Sequence, residues 1–196
     1  MQVRRTHAEM TAETRTKLLA AARKAFAQQG YAQTSMNALC DDAGLTRGAL
    51  YHHFGSKKAL LEEVVYELDS EIGAHLERHY QTISDPWEAF CACSVEYLRL
   101  ALDPETQQIL LKDAPAVLGQ RMREIDEESS IAPLVEAIED LLQQDRIVDC
   151  DPETVARMLN GALVDAALWI AAADDPEGRF ELASKSIGVL LKGLER

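Results

Sequence analysis

Positive charge is scarce in this chain of 196 residues. Twenty Lys and Arg stand against 33 Asp and Glu, a formal charge of −13. A surface that acidic excludes indiscriminate binding to nucleic acid by the whole molecule. Cysteines are few, at 40, 91, 93 and 150, too scattered for a disulfide framework. There is no apolar run of about eighteen residues, the length a helix needs to cross a bilayer. The opening residues, MQVRRTHAEM, lack the apolar centre of a secretory signal, so the expected compartment is the cytoplasm, with reduced thiols. No stretch alternates apolar and polar residues for long, which argues against sheet. No nucleophile–base pair and no glycine-rich phosphate loop occurs, so the expectation is no enzyme, no catalytic residue and no cofactor.

The scarce bases are unevenly distributed. Residues 1–60 carry nine Lys and Arg against four acids, a surplus of +5; residues 61–196 carry eleven against twenty-nine, a deficit of −18. A basic head on an acidic body predicts an anionic partner for the head alone, and the body would repel that partner.

The apolar residues recur at helical spacing throughout, so the predicted fold class is all-α. Thr11 is a candidate N-cap for a first helix, with a stripe of Leu18, Leu19, Ala22, Ala25 and Phe26, ending at Gly30. Ser35 opens a short second helix that Gly44 breaks. Thr46 caps a third, in which Leu50 and Phe54 share the inner face. Ser56 caps a long fourth, with Leu60, Leu61, Val64, Leu68, Ile72 and Leu76 as its stripe, running to about Tyr80. Asp-Pro pairs at 85–86, 103–104, 151–152 and 175–176 each signal a helix start, since Asp caps and Pro suits the first turn. They predict a fifth helix to about Leu102, a sixth ending near Ala114-Pro115, an eighth to about Ala173 and a ninth; a seventh spans about 119–144. The predicted division is a head, 1–56, and a body, 57–196.

The second helix, the Gly44 turn and the third helix form a helix-turn-helix. Such a unit needs a short second member held by one apolar side so that its other side enters the major groove. Leu50 and Phe54 supply the anchor, leaving Thr46, Arg47, Gly48, Ala49, Tyr51 and His52 outward. Arg47 suits a guanine edge, the Ala49 methyl a thymine methyl, and Gly48 lets the backbone approach the bases. Tyr51 and His53 offer donors to phosphate. Lys57 opposes the dipole of its own helix, which makes sense if it and the free N–H groups face a phosphate together.

The segment TSMNALCDDAGLTRGALYHHFGSKKALL resembles the DNA-binding segment of TetR/AcrR-family transcriptional regulators. The likeness runs from about Thr11 to Leu61 and is dense at Gly44, Leu50, Tyr51, His53, Phe54 and Lys57. The nine-helix layout and length fit the family along the whole chain, and LLKDAPAVLG looks like a subset of its members. The resemblance implies base reading by Thr46, Arg47, Gly48 and Ala49. It implies phosphate contacts from Tyr51, His52, His53 and Lys57, and contacts from Ser35 and Asn37 at the start of the second helix. It also implies a homodimer on a near-palindromic double-stranded operator, acting as a repressor released by a small molecule.

In the body, the last two helices carry Leu159, Ala162, Leu163, Ala166, Ile170, Ile187, Leu190 and Leu191, candidates for a dimer interface. Candidates for an effector pocket are Trp87, Phe90, Tyr97, Ile109, Leu110 and Met122, with Met158, Asp165 and Trp169 on one stripe of the eighth helix. An equal reading has Asp165 at the dimer contact or in water. Glu71, His75 and His79 have metal-chelating spacing, but the reading taken is a solvated stripe and no metal. The remaining alternative is a DNA-binding factor without an effector, from which a cavity of several hundred cubic ångströms in the body would distinguish it.

Overall fold

The computed structural model describes residues 7–196, with side chains from Met10 onward. Nine helices follow one another among the described residues: α1 (His7–Gln33), α2 (Met36–Ala43), α3 (Arg47–Phe54), α4 (Lys57–Tyr80), α5 (Pro86–Leu100), α6 (104–118), α7 (120–143), α8 (Pro152–Ala171) and α9 (Pro176–Lys192). No strand occurs among them; one isolated bridge joins Ile147 to Glu195.

The caps explain most of the boundaries. Ser35, Thr46 and Ser56 each accept a hydrogen bond from the backbone N–H three residues on, at 3.5, 3.2 and 3.0 Å. Asp85, Asp103, Asp151 and Asp175 do the same ahead of their prolines. Each such bond satisfies a donor that a helix start leaves free, and losing one costs about 0.5–2 kcal/mol.

Three boundaries differ from expectation. Thr11 is no N-cap: α1 already runs from His7, and Thr11 lies inside it. Good helix formers (Ala8, Glu9, Met10) precede Thr11 and carry the helix through it. Gly30 kinks α1 (φ +76°), and one more turn follows to Gln33. The free groups there find partners, since the Thr34 hydroxyl donates to the Gly30 carbonyl at 2.8 Å and the Tyr31 N–H to the Asp113 carboxylate at 2.7 Å.

The third difference is that α6 passes through Pro115 to Leu118. A proline ring crowds the carbonyl four residues before it. Here the turn ahead is wide: Gln107–Asp113 is π-helical, with the Ala114 N–H donating to Ile109. The same device, Glu127–Ile131, precedes Pro133 in α7. Both wide turns border the cavity described below.

Two apolar clusters organise the molecule. One gathers Leu18, Ala22 and Phe26 of α1, Leu39, Leu50 and Phe54, then Leu60, Leu61, Val64 and Leu68 of α4, and Ile109 and Ala114 of α6. The head's core is thus completed by the long helix and by α6. The other joins α5, α7, α8 and α9 through Phe90, Leu98, Ile138, Leu163, Ile170, Phe180 and Leu191.

Polar contacts also bind head to body. The Arg23 guanidinium of α1 donates to both oxygens of Glu71 on α4, at 2.8 Å each, and to both of Glu105 on α6, at 3.0 and 2.8 Å. These carboxylates hold the Arg23 pKa well above its ordinary value, against the opposing effect of burial. Gly30 meets α6 closely, because a Cβ there would lie 3.0 Å from the Gln108 amide nitrogen.

Candidate functional site

The head presents its proposed DNA contacts outward. Leu50 and Phe54 are buried in the first cluster, which fixes the roll of α3 about its axis. Ser35, Asn37, Thr46, Arg47, Gly48, Tyr51 and His52 are exposed; Ala49, His53 and Lys57 are half-buried. The Arg47 guanidinium lies over the Tyr51 ring, 5.7 Å from its centre, and the His52 and His53 rings meet edge to face at 5.6 Å. Thr46 has a second task, since its hydroxyl caps α3.

Lys57 is less free than its sequence position suggests. Its ammonium sits 4.4 Å from the centre of the Tyr31 ring and donates to the Ala32 carbonyl at 3.5 Å. Burial pushes its pKa below the ordinary value, and Asp113 works against that shift. Lys58 beside it is exposed.

The body encloses a cavity of about 680 Å³ walled by α4, α5, α6, α7 and α8. That volume is in the range of sites for drug-sized molecules. Of the candidates, Phe90, Tyr97, Leu110 and Met122 line it. Trp87 and Ile109 do not; both are buried in packed core, Trp87 stacked on Phe90 at 5.9 Å. Met158, Asp165 and Trp169 do not either. They share a stripe of α8 that faces outward, with Met158 71% and Trp169 45% exposed.

The dimer candidates need the matching correction. Leu159, Leu163, Ile170, Ile187 and Leu191 are buried within the chain's own second cluster, where α8 and α9 pack on α5 and α7, so they are not available to a partner. Ala166 is half-buried; Ala162 and Leu190 are exposed. The exposed apolar face instead comprises Met158, Leu168 and Trp169 of α8 with Leu182, Val189 and Leu190 of α9. Gly161 and Gly188 have open space over them.

Sequence reasoning missed most of the polar end of the cavity: Asp69, Asp126, Ser129 and Ser130, which stand there with Asn160. A signal existed. Asp69 follows Leu68 and stands four residues after Val65, on the flank of the buried stripe of α4. The His75 reading also resolves: His75 pairs with Glu96 at 2.9 Å, and Glu71 is held by Arg23. Cys91 and Cys93 have their thiols pushed up to about 11 by burial, so both are protonated at neutral pH.

An exposed helix-turn-helix joined by a long helix to a hollow helical body defines a DNA-binding protein with room for a small molecule. Comparison with known proteins agrees. Residues 18–64 match the model of bacterial regulatory proteins of the tetR family, and residues 87–194 the tetracyclin repressor-like C-terminal domain. A solved TetR-family transcriptional regulator from Pectobacterium atrosepticum is 42% identical, covers 97% of this chain and 98% of its own, and superposes with a TM-score of 0.85. RolR, solved with resorcinol bound, has the same fold at 18% identity, with 96% and 90% coverage and a TM-score of 0.73. The regulator UidR of Escherichia coli (strain K12) is 43% identical over 54 residues, so the chain spans 28% of the length of that curated relative. The chain belongs to the TetR family of transcriptional regulators.

Proposed function

We propose that the protein is a cytoplasmic, homodimeric repressor that grips a near-palindromic operator and lets go when a small molecule fills the cavity of the body. The observation that carries this reading is the placement of the cavity. Its walls include α4, which leads directly from the recognition helix, and α6, whose Glu105 and Asp113 hold α1. A molecule wedged against α4 and α6 therefore pushes on the two elements that set the position of the head. A hollow body favours this reading over a regulator without an effector.

Dimerisation is supported by the exposed apolar face of α8 and α9. Val189 is 74% and Leu190 64% exposed, and exposed apolar side chains gathered on neighbouring helices suit a protein–protein contact. Two heads bound in adjacent major grooves stand about 34–36 Å apart, and a change in that span breaks the fit. Thr46, Arg47, Gly48 and Ala49 read bases in this reading, while Ser35, Asn37, Tyr51, His52, His53 and Lys57 hold the backbone.

The test is selection of an operator from random duplexes with the purified protein, followed by a screen for small molecules that release it. A palindromic site with two half-sites about one helical turn apart is the expected product. Failure to enrich any duplex ends the reading. A Trp169→Asp, Leu190→Asp double variant should sediment as a monomer and lose operator affinity; an unchanged sedimentation coefficient removes this face as the interface.

A further inference from the structure

The cavity is not uniformly apolar. Along most of its wall stand Ile72, Leu76, Leu110, Leu134 and Leu163, with the Phe90 ring. At one place the character changes. Asp69 comes in from α4, Asp126 from α7, and Tyr97 from α5. The Tyr97 side chain is half-buried at the cavity wall, and both carboxylates are near enough to act on its hydroxyl. Asp126 receives one bond, from the Asn160 amide at 3.0 Å, and the Ser130 hydroxyl is near enough to favour its charged form. Near Asp69 stands the Ser129 hydroxyl, which donates to the Ile125 carbonyl at 2.9 Å. Two carboxylates and a phenol thus face one space with too few donors among them.

No counter-charge answers them. Arg123, the single basic side chain of the lining, is exposed and pulls down neither carboxylate. Both carboxylates are half-buried, and a carboxylate drawn out of water and short of donors gains from a charge that pairs with it. No group of three His, Cys, Asp or Glu suited to a metal ion occurs among the described residues, so an inorganic cation is a poor match. An ammonium on an apolar frame meets each requirement. Its N–H groups supply the missing donors, its charge answers the pair, and the Tyr97 face accepts a cation.

We infer that the effector is an organic cation: an apolar, drug-sized molecule whose protonated nitrogen lies between Asp69, Asp126 and Tyr97. This rests on the proposed role of the cavity as the effector site and names the class of molecule it takes. The electrostatics of the site agree with it. Burial pushes the carboxyls of Asp69 and Asp126 and the Tyr97 phenol above their ordinary values, and Asp126 raises Asp69 further. An entering cation opposes those shifts by pairing with the charged forms.

The experiment uses three probes with one frame and three head groups: 6-phenylhexylamine, 6-phenylhexan-1-ol and 6-phenylhexanoate. Calorimetry on the full chain reads binding, and fluorescence anisotropy on its selected operator reads release. The amine should bind roughly tenfold or more tighter than the alcohol, and the carboxylate more weakly than either. Asp69→Asn and Asp126→Asn should each lower amine affinity about tenfold and leave the alcohol unchanged, since charge pairing is what the substitution removes. Tyr97→Phe, which keeps the ring and its packing, reads the same place if an Asn variant fails to fold; it should weaken the amine by about threefold. If the alcohol or the carboxylate binds as well as the amine, or if all the folded variants bind the amine like the wild type, this inference is overturned while effector release stands. If none of the three probes binds, both fall, and DNA recognition by the head is unaffected.

Discussion

The head and the body use the same kinds of aliphatic side chains to opposite ends. In the head, Phe26, Leu18, Leu50 and Leu60 are wholly buried in one cluster drawn from α1, α3 and α4. In the body, Leu76, Leu110, Leu134 and Leu163 stand around about 680 Å³ of open space. The difference matches the two tasks. Reading base edges requires a surface held in one shape, which close packing provides. Responding to a molecule requires walls that can settle differently when the space is filled. Stability and responsiveness are therefore located in different parts of one helical chain, joined by α4 and by the Arg23 contacts.

The largest expected effect follows from packing. Leu50→Ala should cost about 2–5 kcal/mol of unfolding free energy in urea, because removing a wholly buried side chain leaves a cavity in the cluster. Leu76→Ala, at the half-buried cavity wall, should cost about 1 kcal/mol or less, since part of its surface already faces open space. Equal losses at the two positions would erase the contrast between solid head and hollow body.

Next in size are the base contacts. Arg47→Ala should lose about 1–3 kcal/mol at one base pair of each half-site and relax specificity there. An equal loss on every duplex would make Arg47 a phosphate contact. Lys57→Ala sharpens the point. A true phosphate contact lowers the salt slope of binding by about 0.9 for each charge removed in each half-site. An unchanged slope with a lower melting temperature would mean that Lys57 serves the Tyr31 ring and Ala32 carbonyl instead.

Arg23→Ala addresses the joint between the regions. Partly exposed ion pairs contribute about 0–1 kcal/mol, so stability should change little. Release by a bound effector should become weaker, because α6 loses a grip on α1. Unaltered release at saturating effector would assign coupling to α4 alone.

The smallest effect is a pH dependence. Asp69 and Asp126 hold their protons more tightly in the folded chain than in the unfolded one, where the ordinary value is 3.8. Their contribution to stability is full below that value and is lost as the pH rises through their raised folded values. Asp69→Asn should therefore flatten the decline of melting temperature above the ordinary carboxylate range and raise it at neutral pH. A variant less stable than wild type at neutral pH would show that the Asp69 carboxylate is well paired after all.

What could be read from sequence was local. A cap depends on one side chain and a backbone N–H three residues away, so Ser35, Thr46, Ser56 and the four Asp-Pro pairs located helix starts directly. Leu50 and Phe54, one turn apart, revealed which side of α3 turns inward. The faces of α8 were not legible, because two opposite faces are apolar: Leu159, Leu163 and Ile170 pack inside, while Met158, Leu168 and Trp169 look out. Composition cannot rank one apolar stripe above another when both have something to cover. The acidic end of the cavity was hidden for a related reason. Asp69 and Asp126 lie far apart along the chain, and their meeting depends on how α4 and α7 cross. The wide turns were hidden as well, because a proline inside a helical pattern usually reads as an end.

Those turns carry a consequence for how α6 can change. A π-type turn amounts to one residue inserted into a helix, and its removal restores ordinary pitch. Rewinding Gln107–Asp113 to ordinary pitch with every residue kept would instead swing Asp113 and all that follows by roughly 100° relative to Glu105. The two carboxylates that reach α1, one on Arg23 and one on the Tyr31 N–H, could then no longer both address it. The extra residue works as the offset cut in a key. It allows one helix to turn acids toward the head at either end and leucines toward the cavity between them.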